Sequence, residues 1–143
     1  MEICIDSNIL IYSFNTDSKY YKKARNFIKK YISDDGLAIT DISLIEFFQI
    51  STNNKIVENP LSAEEANKII QDIFNDPRIK LLDTNIDVLQ YVFETSQYYN
   101  ITKYEIYDHI IANLCRFYNI KYFYTVNTKD FVKYDYLKVI NPF

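Results

Sequence analysis

Short continuous apolar runs alternate along the chain with longer stretches in which apolar residues recur every three or four positions. Ile3-Cys4-Ile5, Leu37-Ala38-Ile39, Ile79-Lys80-Leu81-Leu82, Tyr122-Phe123-Tyr124 and Leu137-Lys138-Val139-Ile140 are the short runs. They predict about five strands, the first buried on both faces of a sheet. A short helical pattern, Ile9, Leu10, Ile11 and Phe14, follows the first run. From Ser18 to Ser33, Tyr21, Ala24, Phe27, Ile28 and Tyr31 lie at helical spacing, with Lys19, Lys22, Lys23, Arg25, Lys29 and Lys30 over the other sides. A helix capped by Thr40-Asp41 is expected to reach about Lys55, with Ile42, Ile45, Phe48 and Ile50 as its apolar residues. Ser62 to Asn75 opens with the capping box Ser62-Ala63-Glu64-Glu65. Asp83-Thr84 starts another helix, through Val88, Leu89, Val92 and Phe93. Thr102 caps the next, whose stripe is Ile106, Ile110, Leu114 and Phe117 and whose stop is Asn119. Strands alternating with helices imply parallel βαβ units, and residues 1–143 read as a single α/β domain.

Composition narrows the function classes. Gly36 is the only glycine, so neither a Walker loop nor a G-x-G-x-x-G dinucleotide turn is present. Cys4 and Cys115 lack CxxC spacing and a third thiol, and are expected to be reduced and packed in the core. No signal peptide or apolar run of membrane-spanning length is visible, so a cytoplasmic protein without a membrane partner is expected. The net charge of −3 argues against a generally basic nucleic-acid coat. It leaves room for a nucleic-acid enzyme whose acids are gathered in one pocket.

Acids stand where acids are awkward. Asp6 comes straight after the first strand, at the edge where α/β sheets bind ligands, although it also suits the cap of the following helix. Glu46 adjoins Ile45 and lies one turn from Ile42 and Ile50. A carboxylate along an apolar stripe must be paired, protonated, bound to a cation, or bent out to water. Asp108 follows Glu105 by one helical turn. The helix macrodipole explains two acids there in part, and Glu105 better than Asp108. Asn127 and Asp130 follow the fourth strand, in a segment that an ordinary polar turn would also explain. Carboxylates gathered at one edge repel, and Mg²⁺ or Mn²⁺ is the natural remedy. His109, the sole histidine, has no nucleophile motif beside it and reads as structural or incidental.

Taken in order, Asp6-Ser7-Asn8, Ile42-Ser43-Leu44-Ile45-Glu46, Tyr107-Asp108-His109-Ile110-Ile111-Ala112 and Thr125-Val126-Asn127-Thr128-Lys129-Asp130-Phe131 resemble a PIN domain. More narrowly, they resemble a VapC-type toxin ribonuclease. The resemblance implies a three-layer α/β/α sandwich on a central parallel sheet, usually dimeric. It implies an acidic core of Asp6, Glu46 and Asp108, with Asp6 and Asp108 as main ligands of Mg²⁺ or Mn²⁺, and Glu46 binding metal or orienting water. Asn127 stands where many members have an acid, and Asp130 follows three residues later, so either completes the site. Ser7, Asn8 and Thr125 become orienting groups; Glu105 is expected to add to the acidic pocket, which the family pattern does not require. Lys19, Lys22, Lys23 and Lys129 become candidate contacts to the RNA backbone. The implied reaction is metal-dependent hydrolysis of RNA by an endoribonuclease, restrained by a cognate antitoxin. A haloacid-dehalogenase-type phosphatase would need an acid where Asn8 stands. A response-regulator receiver would need an acid pair that Met1-Glu2 does not supply. The nearer alternative is a catalytically degenerate PIN-like module that binds RNA or protein.

Overall fold

A computed structural model describes residues 1–143. Five strands, β1 (Ile3–Ile5), β2 (Leu37–Thr40), β3 (Ile79–Leu82), β4 (Tyr122–Tyr124) and β5 (Lys138–Ile140), form one sheet in the order β3-β2-β1-β4-β5. Every pairing is parallel, with Ile3 opposite both Leu37 and Tyr122. Six helices accompany them: α1 (Ser7–Phe14), α2 (Tyr21–Ser33), α3 (Asp41–Ser51), α4 (Ala63–Asn75), α5 (Ile86–Ser96) and α6 (Glu105–Phe117). A single 3-10 turn spans Thr128–Phe131. The strands are the expected apolar runs, except that β2 extends to Thr40 and β5 begins at Lys138. No helix is long and apolar enough to cross a membrane.

Alternation along the strands divides the interior in two. Ile3, Ile5, Leu37 and Ile39 face one cluster with Leu10, Leu44, Phe47 and Ile73. Cys4, Ala38 and Phe123 face the other, with Val88, Val92, Ile111, Leu114 and Phe131. The sheet is therefore covered on both faces, giving the expected α/β/α sandwich. Each large apolar side chain buried this way contributes roughly 1.5–3 kcal/mol. Cys4 and Cys115 are both free and buried.

Several local expectations are corrected. On α3 the buried residues are Ser43, Leu44, Phe47 and Ser51, whereas Ile45 is 63% exposed and Phe48 38%. Apolar residues surround that helix on most sides, so periodicity did not single out the inner face. The helix also ends at Ser51, short of Lys55. Helix α5 is capped by Asn85, whose side chain accepts from the Val88 N–H, and not by Asp83-Thr84. Thr84 is engaged elsewhere: its N–H and hydroxyl donate to Asp41 at 2.7 and 2.8 Å. Lys103 has a positive φ of 55°, so α6 starts only after Thr102, at Glu105. Helix α6 closes in a Schellman motif, with Asn119 at φ 59° and the Ile120 N–H reaching the Cys115 carbonyl at 2.8 Å. Gly36 follows a similar close to α2, where an added Cβ would lie 2.5 Å from the Met1 carbonyl oxygen.

Candidate active site

From β1 the chain steps through β2 to β3 on one side, and β4 then returns to the other side of β1. The switch point therefore lies between β1 and β4, and a crevice forms outside the carboxyl ends of these strands. Asp6 follows β1 and Thr125 follows β4, side by side, with the Asp6 N–H donating to the Tyr124 carbonyl at 2.9 Å.

Asp6 is buried and held by three donors. Its Oδ1 accepts from the Ser7 N–H at 2.8 Å, and its Oδ2 from the Thr125 hydroxyl at 2.7 Å and the Asn8 amide at 3.3 Å. Asn8 Nδ2 also reaches Thr125 Oγ1 at 3.2 Å, which joins the two strand ends. Capping of α1 and membership of the acidic group are thus both true of Asp6. Burial raises its carboxyl above the ordinary range, Thr125 and Ser7 oppose the rise, and the charge of Asp130 adds to it.

Glu46 comes from α3 and Asp108 from α6. Ser7 Oγ donates to Glu46 Oε2 at a long 3.5 Å, and Glu46 Oε1 is buried with no hydrogen-bond partner. Burial, then the charges of Asp6 and Asp108, push the Glu46 carboxyl up to about 7. Burial, then Asp6 and Asp130, push Asp108 up to about 6, with Lys133 pulling the other way. Four acids from three separate connections and the 3-10 turn therefore share one field at the sheet edge.

The remaining expected residues divide. Asn127 is exposed, and only its backbone N–H enters the site, donating to Thr125 Oγ1 at 3.0 Å. Asp130 is exposed too, but its charge is felt by both Asp6 and Asp108. Glu105 does not join the acidic group as a free carboxylate: it pairs with Lys133 at 2.7 Å, which holds it below the usual range. Lys133 was not among the expected residues. The sequence offered no signal for it beyond a lysine three places after Asp130. Lys19, Lys22 and Lys23 stand exposed at the start of α2, with Lys19 Nζ 5.0 Å from the Tyr20 ring centre, and Lys129 is exposed beside Asp130. His109 is fully buried behind the site, in hydrogen bonds to Tyr134 and Val92.

The donors that face this crevice are oxygens, and an orphaned buried carboxylate oxygen among like charges is an arrangement short of positive charge. That fits a hard divalent cation. No three His, Cys, Asp or Glu side chains converge closely enough to hold an ion by themselves. An open arrangement suits an ion held by one or two carboxylates, with water and phosphate as further ligands.

Residues 3–136 match the family model of the PIN domain. The chain belongs to that family. Over 140 residues it is 26% identical to Ribonuclease VapC24 of Mycobacterium tuberculosis, covering 98% of this chain and 96% of that protein. Among solved structures it is similar to VapC20 of M. tuberculosis, described as a Sarcin-Ricin loop cleaving toxin. The TM-score there is 0.68 at 11% identity, over 90% of this chain and 92% of the other. It is also similar to VapBC2 from Rickettsia felis bound to a DNA fragment from their promoter, with TM-score 0.66 at 23% identity over 99% and 98%. At such identities the solved structures share the PIN fold with this chain.

Proposed function

We propose that this PIN domain is a Mg²⁺- or Mn²⁺-dependent endoribonuclease, the toxin of a toxin–antitoxin pair acting in the cytoplasm. The observation that carries the reading is the acid group in which burial and neighbouring charges, Asp130's among them, raise the Asp6, Glu46 and Asp108 carboxyls, with Glu46 Oε1 left unpaired. The relation to a ribonuclease over nearly the full chain supports the substrate class.

Asp6 and Asp108 would hold the ion, with Glu46 beside them and Asp130, in preference to Asn127, completing the acidic rim. When bound, the ion supplies the positive charge that polarises the scissile phosphodiester and an attacking water. Thr125, Ser7 and Asn8 fix the Asp6 carboxylate so that it need not reorganise during the reaction. Glu46 Oε1 has no partner, and with its carboxyl deprotonated by a neighbouring cation it would take a proton from the attacking water. Lys19, Lys22, Lys23 and Lys129 would meet the RNA backbone, as would Lys133 if released from Glu105.

Solved relatives of the fold include toxin–antitoxin complexes, which supports a cognate antitoxin as partner. Exposed Ile45, Phe48 and Phe74 form an apolar surface on α3 and α4 that a second copy would cover, in keeping with a homodimer. Incubation of structured RNA with the protein and Mg²⁺ or Mn²⁺ tests the activity. Cleavage that EDTA stops and Asp6→Asn abolishes, with the circular dichroism spectrum unchanged, supports it. Cleavage undiminished in Asp6→Asn sinks it.

A further inference from the structure

Asp130 is the acid of the group that lies on no regular strand end or long helix, so something else must set its place. The residues that follow it are anchored. Phe131 is fully buried against Phe123, with ring centres 4.6 Å apart. Tyr134 is also buried, packed against Tyr99 and His109 at 5.1 and 5.8 Å. His109 is the residue after Asp108 on α6. Its Nε2 lies 3.1 Å from the Val92 carbonyl, which can only accept, so Nε2 carries the proton. Nδ1 is then an acceptor, and the Tyr134 hydroxyl donates to it at 2.9 Å. Thr95 Oγ1, 3.0 Å from Nε2, ties the same ring to α5. At the surface end of the same contact, Lys133 meets Glu105 of α6 at 2.7 Å.

Two ties therefore join the 128–134 segment to the first two turns of α6, one buried and one exposed, on either side of Asp108. We infer that the Tyr134–His109 hydrogen bond, aided by Lys133–Glu105, is a clamp that positions Asp130 against Asp108 and Asp6. Tyr134, His109 and Lys133 are positioning residues in this account, since they act through Asp130. The inference rests on the nuclease reading for its catalytic consequence, and on geometry alone for its mechanical one.

Tyr134→Phe removes the hydroxyl and keeps the ring. Tyr136→Phe is the control: it lies two residues after Tyr134 and its hydroxyl is buried with no partner. Three readouts are taken on the full chain: Mn²⁺ affinity by calorimetry, kcat and KM on RNA, and hydrogen exchange at the Asp130 and Tyr134 amides. Tyr134→Phe is expected to weaken Mn²⁺ binding and lower kcat by about tenfold each, the lower range for groups that orient metal ligands, with KM unchanged. Exchange at both amides should quicken. In an Asp130→Asn background the same change should cost no further activity, because the two act as one unit. Tyr136→Phe should leave all three readouts at their wild-type values. A Tyr134→Phe protein that melts earlier but keeps wild-type exchange, Mn²⁺ affinity and kcat overturns the clamp, as does full additivity with Asp130→Asn. If the wild-type protein neither binds Mn²⁺ nor cleaves RNA, the nuclease reading has failed, and the exchange comparison alone decides the clamp. Should Tyr134→Phe not fold, Glu105→Gln opens the surface tie and is read in the same way, with a smaller quickening expected.

Discussion

Asp108 and His109 are neighbours on one turn of α6, yet they belong to polar regions built on opposite terms. His109 looks inward, and both ring nitrogens are used, on Tyr134, Val92 and Thr95. Burial keeps its imidazole below the ordinary value and so neutral, which suits a ring that both donates and accepts. Asp108 looks outward to Asp6 and Asp130, and its carboxyl is raised by burial and by their charges. A satisfied buried network stabilises a fold and asks for nothing further. An acid group with a buried unpaired oxygen, by contrast, holds repulsion that a cation relieves. The difference separates a structural polar cluster from a candidate catalytic one within a single helical turn.

Substitutions in the two regions should fail in different ways. Asp108→Asn should lower RNA cleavage by on the order of 10²–10³-fold while the thermal midpoint holds or rises, as read by initial rates and calorimetric melting. His109→Ala should do the reverse in kind, lowering stability by about 2–4 kcal/mol in denaturant melts, because it strands the Tyr134 hydroxyl and opens a void. Glu46→Gln tests the repulsion itself. The Glu46 and Asp108 carboxyls are raised in the folded protein, to about 7 and about 6. Their stabilising contribution is then fully present below their ordinary values near pH 4 and is lost as pH rises through 6 to 7. Metal-free Glu46→Gln should therefore be more stable than wild type at pH 8 by roughly 1–2 kcal/mol after allowing for screening, and close to it at pH 5. Glu105→Gln, which opens a partly exposed ion pair, should leave the denaturant midpoint close to that of the wild type.

The fold was readable because its strands are short unbroken apolar runs and its central sheet is buried on both sides. The capping box at Ser62 was equally plain, and both of its hydrogen bonds form at 3.0 Å. Asp6 was legible in the same way, as a carboxylate straight after a buried strand. Glu46 was found for a partly mistaken reason, since its neighbour Ile45 is exposed and does not line the core. What placed Glu46 at the site was the approach of Ser7, thirty-nine residues earlier in the chain. Local signals failed wherever a distant group competed: Thr84 looked like a helix cap until Asp41 claimed it. Lys133 and the Tyr134–His109 bond were illegible for the same reason, because each depends on two segments meeting across 25 or more residues.

The most direct test of the account is Mn²⁺ binding followed by titration calorimetry near pH 6.5 in two buffers of different ionisation enthalpy. Carboxyls raised to about 6 and about 7 are partly protonated there, so binding should release protons and the observed heat should depend on the buffer. In Asp6→Asn that binding should weaken by on the order of tenfold or more, with the fold retained. Binding of equal strength in Asp6→Asn, or none at all in the wild-type protein, would contradict a metal site built on these acids.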